Sequence, residues 1–196
     1  MHVLTIFAHP GPPGASHRIL SQFRAGLEQA GHSCDTADLY AEGFDPCMSA
    51  QDMGQFAGHP LPGDVRAYQA RVDRCDALCL IFPLWWYAMP AVLKGWFDRV
   101  FSPGWAYAPG DGTHTPLLRA RPCTVLVPVG LHRARTAVWS GLDALAELWQ
   151  VGLFEFCGLG PVDIRFFYAD EDPQDRDAHV FEIGRTLQEP GRSHTR

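Results

Sequence analysis

The hydrophobic positions of this sequence form short continuous runs that alternate with longer stretches of helical spacing. Apolar runs of five to eight residues that end at Pro, Gly or Asp are typical of strands buried on both faces of a parallel sheet. Such strands are predicted at Val3 to Ala8, Ser33 to Leu39 (the weakest), Asp76 to Phe82, Cys123 to Val127 and Val162 to Phe167.

The intervening stretches predict amphipathic helices. In Ser16 to Ala30, the side chains of Ile19, Phe23 and Leu27 fall on one face, and Gly31 is suited to end the helix. Residues 41–64 are rich in Gly, Pro and Asp without a clear period, so we interpret them as an excursion loop. Further helices are predicted at Val65 to Arg74, after Pro90, at Thr136 to Gln150 and at Asp175 to Leu187.

Strand–helix alternation along the whole chain predicts an α/β fold made of βαβ units. Five strands indicate a flavodoxin-like, doubly wound five-stranded parallel sheet in the order 2-1-3-4-5, with helices on both faces. Residues 1–196 would form a single domain, with a frayed tail at 190–196. Ligands of such sheets bind beyond the carboxyl ends of strands 1 and 3.

The composition argues against several classes of binding partner. Lys and Arg number 16 against 22 Asp and Glu, and no basic run occurs, which argues against nucleic acid and anionic membranes. No apolar run approaches the length of a membrane span, and the first ten residues do not resemble a signal peptide. Six cysteines without a C-x-x-C pair favour a reduced, cytoplasmic protein without a metal, although zinc or disulfide use stays open.

Two loops meet at the predicted binding edge. The first, His9 to His17, leads into a helix that opens with Ser16 and His17, and helix N-terminal N–H groups with a nearby hydroxyl suit a phosphate. An ordinary strand-to-helix turn is the alternative. The second, Pro83 to Pro90, carries three consecutive aromatic residues that cannot all face the core. These favour a wall for a flat ring system, with a partner interface as the alternative.

The segment from Phe82 to Phe101, FPLWWYAMPAVLKGWFDRVF, resembles the central signature of the NAD(P)H:quinone oxidoreductase family. This family includes the drug-activity-modulator and potassium-efflux ancillary flavoproteins. Further matches are A-H-P at 8–10, D-L-Y at 38–40, G-W-A-Y at 104–107 and F-C-G at 156–158. The resemblance implies a homodimer with one FAD or FMN per subunit, which NAD(P)H reduces at N5 and a quinone or similar acceptor reoxidises by a ping-pong mechanism.

The resemblance also implies roles for particular residues. Tyr107 would cross the dimer interface to the substrate side of the partner's flavin. His17 stands where the family usually has Asn. The flavin phosphate would be held by His9, Ser16 and His17, and the isoalloxazine ring by Pro83, Leu84, Trp85, Trp86 and Tyr87.

The loop after strand 4 departs from the family pattern. The usual Thr-Gly-Gly is replaced by Pro128-Val129-Gly130, and Pro128 has no N–H to donate. Val129 and Gly130 are thus the remaining backbone candidates near flavin N1. Negative charge develops there on reduction, and His132, Arg133 or Arg135 could balance it. Of these, His132 is our catalytic candidate beside Tyr107; the alternative is that the cations are solvated.

Three functions follow. The first is an NAD(P)H oxidoreductase acting on quinones or related electrophiles. The second is a flavin-binding regulatory subunit of a potassium-efflux system or other partner with weak reductase activity, which the altered loop motivates. The third, a small electron carrier, fits less well because such carriers are usually more acidic.

Overall fold

The sheet has the predicted order. The computed structural model describes residues 1–136 and 141–187. Two further strands, β4 and β5, form a separate antiparallel hairpin outside the main sheet, so the strands of the main sheet are not numbered consecutively. The main sheet is parallel and runs β2-β1-β3-β6-β7, which is the predicted 2-1-3-4-5 order once the hairpin is set aside. The strands are β1 (His2–Phe7), β2 (Ser33–Asp38), β3 (Ala77–Ile81), β4 (Tyr107–Pro109), β5 (His114–Pro116), β6 (Cys123–Val129) and β7 (Val162–Tyr168).

Helices connect the strands on both faces of the sheet. A π-helical turn at Gln150–Phe154 and two 3-10 turns, Gly54–Ala57 and Glu155–Cys157, supplement them. The α-helices are α1 (Ala15–Gln29), α2 (Ala50–Met53), α3 (Gly63–Arg74), α4 (Ala91–Val100), α5 (Arg133–Thr136), α6 (Gly141–Trp149) and α7 (Pro173–Arg185).

Each face of the sheet has its own core, which explains the continuous apolar runs. In β1, Val3 and Phe7 pack beneath α1 and α7, while Leu4 and Ile6 pack on the opposite side. Because successive strand residues alternate between faces, a strand covered on both sides needs an apolar residue at nearly every position. Trp96 of α4 is fully buried in the second core.

Helices α1 and α7 touch through their backbones. A Cβ atom added at Gly26 would lie 2.1 Å from the Phe181 carbonyl oxygen, and one added at Gly184 would lie 2.4 Å from that of Phe23. Only glycine permits this approach, so α7 is fixed against the helix that follows β1.

Several predicted boundaries were wrong. Residues 41–64 are not a plain loop, because they contain α2, a 3-10 turn and the start of α3. Within the predicted helix Thr136 to Gln150, residues 137–140 lie outside the described part and Gly141–Trp149 is helical as α6; helical structure begins earlier than predicted, at Arg133, and a π-helical turn follows at Gln150–Phe154. The hairpin of β4 and β5 was not predicted, and α7 begins at Pro173 because Asp172 accepts hydrogen bonds from the N–H groups of Gln174 and Asp175. The expected tail, 190–196, lies outside the described residues.

A buried ion pair orders the excursion. The Asp52 carboxylate accepts hydrogen bonds from the Ser49 N–H and hydroxyl and from Arg99 Nε at 3.1 Å. Arg99 also donates to the Asp45 carbonyl and pairs with Asp64 at 2.8 Å. Burial opposes ionisation of Asp52, but the Ser49 hydrogen bonds and the Arg99 charge outweigh it and lower its pKa. Residues 45–64 are thereby fixed to α4.

The cysteines are free thiols. Cys75, Cys79 and Cys123 are buried, and burial raises the pKa of each. In the part of the chain that is described, no helix is both long and apolar enough to span a membrane. Within that same part, no three His, Cys, Asp or Glu side chains are grouped to hold a metal ion.

The backbone contact between α1 and α7 predicts a large effect of one added methyl group. Gly26→Ala should destabilise the protein by about 2 kcal/mol because the helices must separate. Gly63→Ala is the control, since an added Cβ there meets nothing within 4 Å and should change stability by less than about 1 kcal/mol. Urea unfolding measures both, and equal stabilities would contradict the predicted clash.

The buried ion pair predicts a pH-dependent stability. Asp52→Asn leaves Arg99 without its buried charge partner and should cost about 3 kcal/mol or more, whereas Asp64→Asn, at a half-exposed carboxylate, should cost about 1 kcal/mol or less. Because the folded-state pKa of Asp52 is lowered, its contribution is present above the ordinary carboxyl pKa of about 4 and is lost as pH falls through the folded value. Urea titrations from neutral pH to pH ~3 should show the wild type converging on Asp52→Asn; parallel curves would contradict this.

Candidate functional site

The amino end of α1 is suited to bind an anion. Gly14 precedes the helix in extended conformation, no side chain caps it, and its first turn holds no acidic residue. The backbone N–H groups of the first turn thus carry partial positive charge and have no partner in the described part of the chain. Ser16, predicted to contact the phosphate, is buried at this end.

Two imidazoles stand beside that helix end. The rings of His9 and His17 lie 5.1 Å apart edge to face, and the His17 ring also packs on Phe7 at 4.9 Å. The Gly11 N–H donates to His9 Nδ1 at 3.1 Å. His17 Nδ1 is buried and has no hydrogen-bond partner within the described residues. Such an orphaned polar atom calls for a ligand, so the residues present fit a phosphate group.

The aromatic loop forms a strained tight turn. Trp85 and Ala88 exchange backbone hydrogen bonds of 3.1 and 2.9 Å, which closes a two-residue loop over Trp86 and Tyr87. Both of these residues have positive φ, 52° and 55°, as a type I′ turn requires. Bulky side chains rarely adopt this conformation, and strain of this kind is concentrated at functional sites.

This turn lies beside the phosphate-like site. The Trp85 ring is 6.5 Å from the His9 ring, so the two loops predicted to converge do so. The Leu84 N–H donates to the Pro128 carbonyl at 3.0 Å and the Trp85 N–H to Ala88, so these two amides are already used within the chain. Trp86, predicted as part of the ring wall, is 99% exposed, so no group of the described residues covers it.

Beyond Gly130, the third loop is anchored to the residues that follow β7. Val129 ends β6 buried, while Gly130 and His132 are exposed. The Arg133 N–H donates to Asp170 at 2.9 Å, and its guanidinium pairs with Glu171 at 2.8 Å.

Arg133 also lies 4.1 Å above the Tyr168 ring. The Arg133 N–H, together with the charges of His132 and Arg133, lowers the pKa of Asp170. Asp170 and Glu171, which follow β7, therefore fix this loop. Arg133 is committed to it, and His132 makes no described contact with the first two loops.

A groove of about 770 Å³ opens on the α4 side of the turn. Tyr87 and Tyr107 both line it, so the structure brings the predicted substrate-side tyrosine and the ring-wall turn to one cavity. The Tyr107 ring packs edge to face on Phe156 at 5.1 Å, and His114 stacks on Phe156 at 3.7 Å.

Sequence reasoning missed the excursion's part in this groove. Met48, Gln55 and Phe56 line it from residues 46–56. The signal was present, because Ser49 followed three residues later by Asp52 is a capping-box pattern. Its Arg99 partner lies 47 positions away and gives no local signal.

A protein-family model described as flavodoxin-like fold matches residues 1–187. The chain belongs to that family. The NAD(P)H:quinone oxidoreductase of Methanothermobacter marburgensis has a similar structure, with a TM-score of 0.84 and 30% identity over 99% of both chains.

Two curated relatives agree with this membership. An NAD(P)H dehydrogenase [quinone] 1 of Cavia porcellus is 32% identical over 84% of this chain and 67% of its own length. An NAD(P)H oxidoreductase of Haemophilus influenzae, itself uncharacterised, is 29% identical over 85% of this chain and 83% of its own length. The resemblance predicted from the sequence is confirmed.

We expect relief of the strain in the turn to raise the stability of the protein and to weaken its binding of a flavin. Replacing Trp86-Tyr87 by Asn-Gly, which adopts positive φ readily, should stabilise the protein by about 1–3 kcal/mol in urea unfolding. The same change should weaken binding of a flavin, measured by fluorescence quenching, because it removes the aromatic wall. Unchanged stability would show that the turn is not strained, and unchanged flavin affinity that it is not the wall.

Proposed function

We propose that this protein is a flavin-dependent NAD(P)H oxidoreductase that reduces quinones or related electrophiles in two half-reactions sharing one site. The observation that carries the proposal is the meeting of an uncapped helix end, with its orphaned His17 Nδ1, and a strained aromatic turn at the sheet edge. A phosphate and a flat ring joined by a short chain match those two features.

The relatives bear on the reaction type. Proteins named NAD(P)H dehydrogenase [quinone] and NAD(P)H:quinone oxidoreductase align over most of this chain. The prediction that it is an NAD(P)H-dependent oxidoreductase of the quinone-reductase type is confirmed, and a regulatory role is not favoured by these names. The flavin and the order of the half-reactions are parts of our proposal.

A bound flavin supplies a centre that accepts a hydride from a nicotinamide and delivers two electrons to an acceptor. The N–H groups of α1, with Ser16, His9 and His17, would hold its phosphate, which FMN and FAD share. The ring would rest on the turn and contact its backbone, with Val129 and Gly130 at the pyrimidine edge. Ring placement there is supported by the side-by-side position of the two loops.

Charge compensation at that edge falls to His132 in this proposal. Arg133 is held by Glu171 and by the Tyr168 ring, so it cannot reach the sheet edge without losing both contacts. His132 is exposed and lies two positions after Gly130 in the sequence. Protonated, it would place a positive charge where reduction develops negative charge.

A homodimer is the proposed assembly, with Tyr107 contributed to the acceptor side of the partner subunit. Support comes from the groove that Tyr107 lines, whose mouth exposes the large apolar side chains Phe56 and Leu148. Contiguous exposed apolar residues of this size mark protein interfaces.

The proposal is tested by NADPH and NADH oxidation with menadione as acceptor, with and without added FMN or FAD. We expect quinone-dependent oxidation that needs a flavin, parallel double-reciprocal plots, and a flavin in the purified protein identified by absorbance and mass. Absence of quinone stimulation under every condition would overturn the enzymatic function. A bound flavin with no such activity would instead favour the regulatory alternative.

The phosphate residues are tested by binding alone. Ser16→Ala and His17→Leu should each weaken FMN binding about tenfold, the effect of losing one hydrogen bond to a charged group. His59→Leu, at an exposed histidine on the excursion, is the matched control. Equal affinities for His17→Leu and His59→Leu would remove His17 from the site.

A further inference from the structure

A separate cavity of about 430 Å³ lies between β7 and the start of α7. In the main sheet β7 pairs with β6 alone, so the cavity is at an edge strand. Its volume is within the range of small-molecule sites. The phosphate residues predicted on α1 and Tyr87 of the aromatic turn do not line it. It is therefore distinct from both the predicted flavin site and the groove.

One buried arginine lines this cavity without a hydrogen bond at its Nε. The Arg176 side chain is only 10% exposed, and Nε is buried without a hydrogen-bond partner in the described part of the chain. The Asp177 Oδ1 atom is 3.6 Å from it, which is beyond hydrogen-bond distance. A buried donor of this kind calls for a partner from outside the chain.

The positive charge of Arg176 also exceeds what its neighbour can balance. Asp177 Oδ2 already accepts hydrogen bonds from Arg18 Nε and Nη2, at 3.2 and 2.5 Å. One carboxylate thus stands between two guanidinium groups. Because a charge removed from water without a matched partner is costly, the cavity offers an anion one uncompensated positive charge.

The other charges along the cavity restrict the ligand to a single negative charge. Arg133 is paired with Glu171, and Asp172 caps α7 by accepting hydrogen bonds from two backbone N–H groups. Asp175 is exposed and also lines the cavity. A phosphate dianion would place its second charge against these carboxylates. A carboxylate instead matches the one free charge and can accept two parallel hydrogen bonds from a guanidinium group.

Two phenylalanines give the cavity an apolar surface. Phe166 is partly buried and Phe167 is buried, and the His179 ring lies 6.2 Å from the Phe167 ring. Arg165 between the strand's neighbours is half-exposed and is neutralised by Asp163 at 2.7 Å. Aromatic surfaces of this kind favour a flat ring, which can stack or pack edge to face on them.

We propose that this cavity binds a small aromatic monocarboxylate, whose carboxylate accepts hydrogen bonds from Arg176 and whose ring lies against Phe166 and Phe167. Arg133 lines the same cavity, so the bound acid would lie beside the loop that carries His132. The inference goes beyond the proposed function and does not depend on it.

The experiment measures binding of 2-naphthoate to the full chain by isothermal titration calorimetry. The probes for comparison are 2-naphthamide, which has the ring without the charge, acetate, which has the charge without the ring, and 2-naphthyl phosphate, which is a dianion. We expect one site per chain and a Kd for naphthoate at least about tenfold lower than for each of the others, the effect of a charge-assisted hydrogen bond. Equal affinity of naphthoate and any of the three would overturn the inference.

The same titration with saturating FMN locates the ligand. An unchanged Kd for naphthoate would support the separate cavity, whereas competition by FMN would place the acid at the predicted flavin site and overturn the inference. If no flavin binds, only the proposed function fails, because the affinities of the four probes still test the cavity.

Variants test the proposed contacts. Arg176→Gln should weaken naphthoate binding about tenfold, to the level of naphthamide. Arg66→Gln is the matched control, at an exposed arginine of α3 outside the cavity, and should keep the wild-type affinity. Equal affinities of these two variants would overturn the inference.

A third variant keeps the test decisive if Arg176→Gln does not fold. Asp175→Asn removes an exposed carboxylate beside the cavity and should tighten naphthoate binding about twofold, because it removes a like charge. Misfolding cannot produce a gain of affinity. An affinity unchanged or lowered by Asp175→Asn would overturn the proposed position of the carboxylate.

Discussion

The buried guanidinium of Arg99 organises the side of the molecule on which the groove opens. It pairs with Asp52 and Asp64 and binds the Asp45 carbonyl, so one side chain of α4 holds both ends of the excursion. Gly95, one turn earlier on α4, lets the chain lie directly on the helix, because an added Cβ there would be 2.3 Å from the Pro46 carbonyl oxygen. Without these contacts nothing would hold residues 46–56 beside Tyr87, and the groove would lose the side that these residues form.

The sheet could be predicted from sequence because its signal is local. A strand covered on both faces needs apolar residues throughout, and β1, β3 and β6 show such runs. The edge of the sheet at which ligands bind follows from the strand order alone. The loops after β1 and β3 could therefore be predicted to lie side by side, which the structure confirms. Burial of Trp96 likewise follows from helical spacing.

The excursion and the third loop could not be predicted because their order depends on distant charges. Arg99 meets Asp52 across 47 positions, and Arg133 meets Glu171 across 38. No pattern in a single sequence predicts which arginine forms an ion pair with which carboxylate. The sequence offers three candidate cations in the third loop, with His132 as the catalytic candidate, and packing on Tyr168 separates Arg133 from His132.

The contact between the first and last helices has a consequence for synthesis of the protein. Asp177 of α7 holds Arg18 in the first turn of α1 at 2.5 Å, next to His17, and Gly26 and Gly184 fix the two helices to each other. Because α1 is translated before α7, the predicted phosphate site at the start of α1 gains this support only after α7 has been synthesised. A chain truncated before α7 would carry His9, Ser16 and His17 but would lack Asp177 and Gly184.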